Sequence, residues 1–216
     1  MNLLVLALAP ILIILFYIYI RDKYNKEPLG MLLKSLIAGM FITLPVVFTE
    51  SGLHSLYFSD NPYASAGYSA FIVAGLTEEF FKFLALYFLI WKSRHFDEKF
   101  DGIVYGVFVS LGFAAVENVM YVYQLGHSAG FTRALTAVPA HAIFGVIMGY
   151  YFSRARFGRA NRQYYLMLAL FVPVMLHGIY NFILMTGHRY MLLAFIPYLI
   201  YLWRTGFRRM REMSVK

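Results

Sequence analysis

The sequence predicts an all-α polytopic membrane helix bundle of about seven transmembrane helices, with the N-terminus outside and the C-terminus cytoplasmic. Three observations carry that prediction. Of the 216 residues, 61% are hydrophobic and only 14% are charged, about half the charged share of a soluble domain. Apolar runs of bilayer length, about 20 residues, recur along the chain. Lysines and arginines gather in alternate loops, as cytoplasmic loops of membrane proteins do.

The first span, about 3–20, has no basic segment before it, and RDKYNKEP follows where a signal peptide would need a cleavage site. It is therefore expected to be retained. The loop after it carries Arg21, Lys23 and Lys26, with Lys34 just beyond. Span two, about 30–49, leads to a 51–68 loop without lysine or arginine. Span three, about 69–91, returns to a loop with Lys92, Arg94 and Lys99. Span four, about 102–124, exits into 125–133, where Arg133 is the single basic residue. Span five, about 134–152, ends at Arg154, Arg156, Arg159 and Arg162, and span six, about 164–185, at Arg189 alone. Span seven, about 190–204, precedes Arg204, Arg208, Arg209, Arg211 and Lys216. Residues 1–216 thus read as a single integral-membrane domain.

The net charge of +8 lies mostly in the expected cytoplasmic loops, where anionic lipid would attract it. It marks topology rather than a nucleic-acid surface. The absence of cysteine excludes disulfides, thiol catalysis and cysteine-ligated metal.

Ionisable groups inside a bilayer cost about 2.5–3.5 kcal/mol each on insertion scales and usually face a cavity and a partner. Span three holds Glu78, Glu79 and Lys82; span four, Glu117 and Asn118; span five, His141; span six, His177 and Asn181. Measured from the outer ends, Glu78 lies roughly 14 Å deep, His177 roughly 12 Å, and Glu117 and His141 roughly 10 Å. Four helices of alternating direction place their costly groups in one layer, which predicts a site. Glu78 and Lys82 are four residues apart, Glu79 and Lys82 three, so both carboxylates can reach the ammonium. Glu50 is expected at the interface. His54, His95, His127, His188, Asp97 and Glu98 read as solvated, and Asp101 as a helix cap. Gly106, Gly112, Gly145 and Gly149 suit close helix packing.

Adjacent glutamates beside one ammonium are expected to differ in protonation, giving one base and one acid. With the histidines they could activate a water toward a carbonyl, while histidine and asparagine donors hold the oxyanion. The sequence has no HExxH helix, no GxSxG elbow and no aspartate inside a span. Two histidines and a glutamate leave zinc open in principle.

EEFFK at 78–82, HFDEKFDGIVYG at 95–106, LGFAAVEN at 111–118, HAIFGVIMGYYFSRARF at 141–157 and HGIYNF at 177–182 resemble the PrsW family. These are bacterial intramembrane proteases of the wider CAAX-protease and bacteriocin-processing superfamily. The resemblance implies a multi-pass protein of the bacterial cell membrane. It implies site-1 cleavage of a single-pass membrane anti-sigma factor, on the extracytoplasmic side, in an antimicrobial-peptide or envelope-stress response. It also implies that Glu78 and His141 activate water, that His177 and Asn181 form the oxyanion pocket, that Glu79 supports them, and that no cofactor is needed. Two departures stand out. The superfamily's EExxxR arginine position is Phe83, with Lys82 one place earlier, and Ala137 stands where FxxxH expects phenylalanine. Glu117 has no settled counterpart. The alternatives are a zinc-dependent membrane protease and a non-catalytic protein that binds or escorts membrane partners. Oligomeric state is not readable from the sequence.

Overall fold

The computed structural model describes residues 2–214 apart from 24, 58 and 160; Lys216 lies outside the described residues. Among these there are helices and no strand. A helical run occupies each of the seven expected spans: α1 (Leu3–Arg21); α2 (Leu29–Phe41) with α3 (Thr43–Leu56); α4 (Pro62–Gly67), a π-helical segment (Tyr68–Leu76) and α5 (Thr77–Ile90); α6 (Asp101–Leu135); α7 (Ala137–Phe157); α8 (Arg162–Met185); and α9 (Arg189–Met213). Among the described residues, four stretches are long and apolar enough to cross a membrane: Leu3–Arg21, Leu29–Leu56, Asp101–Phe157 and Arg162–Met185. Large apolar side chains such as Ile13, Phe16, Leu44, Phe48 and Phe88 point outward, as a lipid-facing surface requires and a soluble monomer avoids.

The architecture is built around α6. Every residue from Asp101 to Ala115 is buried, and a helix enclosed on all sides need not be amphipathic. Helices α1, α2, α5 and α7 pack around it, while α8 and α9 complete the bundle against α7. Small residues let the backbones approach. Gly102 meets Gly149, Gly106 meets Gly145, and Ser110 donates to the His141 carbonyl at 2.6 Å. Each four-residue step along α6 is matched by four residues backward along α7, so the two helices run antiparallel in tight register. A methyl placed on Gly106 would lie 2.6 Å from the Gly145 carbonyl oxygen. The expected glycine packing is therefore a seam that sets the height of His141.

Two expectations change. The 125–133 loop is helical: α6 continues to Leu135, broken only at Gly126, where φ is 79°. That left-handed backbone suits glycine, and it turns residues 127–135 back toward the bundle. Asp101 does not cap α6 through its side chain. Its Oδ2 accepts instead from the upstream backbone N–H groups of Asp97 (2.9 Å) and Glu98 (2.6 Å).

Candidate active site

Directly before Thr77 the third run widens into π-helix over Tyr68–Leu76, a distortion found most often at functional sites. Thr77 Oγ1 donates to the Ile72 carbonyl, five residues back, at 3.3 Å. Gly75 lies against the α8 backbone: a methyl there would be 3.2 Å from the Val174 carbonyl and 3.3 Å from the Gly178 nitrogen. The widened turn and this close approach bring Glu78 and Glu79 face to face with His177.

Lys82 stands at the centre of the polar layer. Its Nζ donates to Glu78 Oε2 (3.0 Å), to Glu79 Oε1 (2.8 Å) and to His141 Nδ1 (3.2 Å) across the bundle. It also sits 4.3 Å above the Phe113 ring. An ammonium can only donate, so Nδ1 of His141 accepts and Nε2 carries the proton. Nε2 points at Glu117, 2.9 Å from Oε2. His177 Nδ1 lies 2.9 Å from Glu79 Oε1 and 3.9 Å from Glu78 Oε2, and its ring stacks on Phe144 at 4.8 Å. The two imidazoles stand edge to face, with ring centroids 5.2 Å apart.

Six of the seven expected residues thus form one connected network: Glu78, Glu79, Lys82, Glu117, His141 and His177. Glu79, Lys82, His141 and His177 are buried, and Glu79 is wholly enclosed at 0% exposure. Asn181, half-buried one turn beyond His177, makes no hydrogen bond to the other six among the described residues. One further member, Arg133, and one neighbour, Glu50, were missed by sequence reasoning. Arg133, expected in a loop, pairs with Glu117 at 2.9 Å and donates through Nε to Asn118 Oδ1 at 2.8 Å. Glu50 on α3, expected at the interface, lies near Glu78, Glu117 and Lys82 without a hydrogen bond or ion pair to them among the described residues. For Glu50 the signal was its nearness to the predicted outer layer. For Arg133 there was none, because only the turn at Gly126 returns it.

The carboxylates converge on a cation from within the chain. Comparison with known proteins says which chemistry this serves. Residues 27–203 match the family model described as "PrsW family intramembrane metalloprotease". The chain belongs to the PrsW family. A protein named Protease PrsW from Clostridioides difficile (strain 630) is 38% identical, over 98% of this chain and 91% of its own. Proteins of that name from Bacillus subtilis (strain 168) and Halalkalibacterium halodurans are 38% and 36% identical over 95% and 97% of this chain, and over 93% and 96% of theirs. No solved structure matches the chain. The PrsW assignment makes the chain a bacterial membrane protein and an intramembrane protease.

The PrsW description also implies a metal. Glu78, Glu79, His141 and His177 offer ligand atoms that all lie within 4.8 Å of one another, and imidazole with carboxylate suits zinc in kind. The arrangement around them does not fit. Zinc requires ligands at about 2.0–2.2 Å, and a metal that close to Glu78, Glu79 and His141 would occupy the space of Lys82 Nζ, which already hydrogen-bonds all three. Two cations cannot share that position.

Proposed function

We propose that the chain cleaves a single-pass membrane anti-sigma factor on the extracytoplasmic side. Water activated by a carboxylate performs the cut, and Lys82 supplies the resident positive charge. The observation that carries this reading is the Lys82 ammonium bridging Glu78, Glu79 and His141. Three carboxylates, Glu78, Glu79 and Glu117, face two permanent cations, Lys82 and Arg133. The carboxylates outnumber these cations, which leaves one of them to serve as the general base.

Glu78 is the better base. Glu79 spends Oε1 on both Lys82 and His177, and its other oxygen is buried without a partner. Glu78 makes one hydrogen bond, through Oε2 to Lys82, which leaves Oε1 to take a proton from water. His177 donates its Nδ1 proton to Glu79, so Nε2 is a proton acceptor that can relay the proton from Glu78 to the leaving amine. Asn181, one turn away, supplies the donor to the attacked carbonyl oxygen. The hydroxide adds to the scissile carbonyl, the C–N bond breaks, and the proton held by Glu78 passes to the leaving nitrogen. The alternating loop charges support a seven-span topology with this layer in the outer half of the membrane, where an extracytoplasmic cut would be made.

The test is reconstitution of the purified protein with a candidate anti-sigma factor. Cleavage by the wild type, and its loss in Glu78→Gln with insertion intact, is expected. Full activity in both Glu78→Gln and Glu79→Gln would refute the mechanism. A second reading, zinc in place of the ammonium, is favoured by the donor quartet and the family's description. It requires Lys82 to swing away, and it predicts that Lys82→Met keeps activity.

A further inference from the structure

A second group of acids lies at the far end of α6. Asp101 is 16 residues before Glu117, about 24 Å along the helix at 1.5 Å per residue, so this cluster is separate from the catalytic layer. Glu27 closes the connection between α1 and α2, Asp97 sits between α5 and α6, and Asp101 opens α6. One carboxylate oxygen of each lies within 4.8 Å of the other two. We propose that Glu27, Asp97 and Asp101 bind a hard divalent cation of the magnesium or calcium class.

Burial and partnering distinguish these residues from a solvated acidic patch. Glu27 is 4% exposed and Asp101 0%. Asp101 Oδ2 is taken by two backbone N–H groups, whereas Oδ1 is enclosed and no donor from the described residues reaches it. Glu27 accepts from the Tyr105 hydroxyl, and its carboxyl lies at hydrogen-bond range of that of Asp101, so a proton or a cation must stand between the two. Asp22 Oδ2 accepts from the Glu27 backbone at 3.2 Å and holds it in place. Basic residues abound at this end, yet none forms an ion pair with the three carboxylates among the described residues. Lys26 is turned onto Tyr19, donating to its carbonyl at 3.2 Å and lying 4.1 Å from its ring centroid.

The donors are all oxygen, which selects hard cations over zinc or copper. Asp97 is exposed and is the one member of the trio that lines a cavity of about 230 Å³, shared with Asp22, Glu98 and the basic Arg21, Lys23 and Lys99. That cavity leaves room on the Asp97 side for the waters that magnesium and calcium retain. The ion would staple the α1–α2 connection to the start of α6, the helix on which the bundle is built.

The test uses full-length protein in detergent, stripped of metal and titrated with Mn²⁺ by the loss of the free-ion EPR signal. Saturable binding displaced by Mg²⁺ or Ca²⁺ is expected, weakened about tenfold or more by Asp97→Asn and by Glu27→Gln, and unchanged by Glu78→Gln. Asp97 is exposed, so its variant reports even if Glu27→Gln fails to fold. Absence of saturable binding, wild-type affinity in Asp97→Asn, or loss in Glu78→Gln would each overturn the proposal.

Discussion

Arg133 and Glu117 belong to the same helical run, yet their side chains meet at 2.9 Å because the backbone turns at Gly126 between them. Glu117 in turn faces the protonated nitrogen of His141 at 2.9 Å, so Arg133 acts on the site through two intermediaries. It is a positioning residue. Arg133→Ala should lower kcat about 10- to 100-fold, the usual cost of losing such a support, with KM little changed. Arg133→Lys should recover part of the loss, because charge is kept and the second contact, to Asn118, is not. Steady-state cleavage kinetics with a fluorogenic peptide separate the two parameters.

Removing the ammonium should be costly in two ways. Lys82→Met leaves Glu78 and Glu79 buried without their cation, a loss of about 3–5 kcal/mol for a broken buried pair. Thermal denaturation in detergent should show that loss, and activity should vanish with it. The double variant Lys82→Met/Glu79→Gln should recover much of the stability and none of the activity. A double-mutant cycle measures this coupling directly.

The α6–α7 seam offers a test away from the charged groups. Gly106→Leu forces a side chain against the Gly145 carbonyl, one turn of α7 from His141. Overpacking of this kind costs about 1–3 kcal/mol and shifts the height of His141 against Lys82. Lower thermal stability together with reduced cleavage is expected. Gly30→Ala, where nothing lies within 4 Å, should leave both unchanged.

Asn181 stands apart from the network, and its assigned role as an oxyanion donor makes a sharp demand. Loss of one such donor typically costs about 100- to 1000-fold in kcat. Asn181→Ala should therefore fall by about that factor at wild-type thermal stability. Wild-type kcat would remove Asn181 from the mechanism.

Much of this arrangement was legible in the sequence, for a physical reason. A charge inside an apolar run is expensive, so Glu78, Glu79, Lys82, Glu117, His141 and His177 announce themselves by their cost, and loop charges align their depths. The four-residue spacing of Gly102, Gly106 and Ser110 against His141, Gly145 and Gly149 was partly visible as glycines suited to packing. The register between the two helices was not, because it depends on both together. Arg133 was hidden because a basic residue near an expected span end reads as solvated until Gly126 folds it back. The trio of Glu27, Asp97 and Asp101 was hidden too: Asp97 read as solvated and Asp101 as a helix cap, and only tertiary packing brings them together with Glu27 and buries Glu27 and Asp101.

The central claim is that Lys82 supplies the positive charge at the carboxylates where a metal would otherwise stand. The most direct measurement is the cleavage rate of the purified protein on its membrane substrate in a zinc-selective chelator, with magnesium held constant to keep the carboxylate cluster at the other end of α6 supplied. The account predicts an unchanged rate, abolished by Glu78→Gln or Lys82→Met. Loss of cleavage in the chelator, restored by stoichiometric zinc, would contradict it.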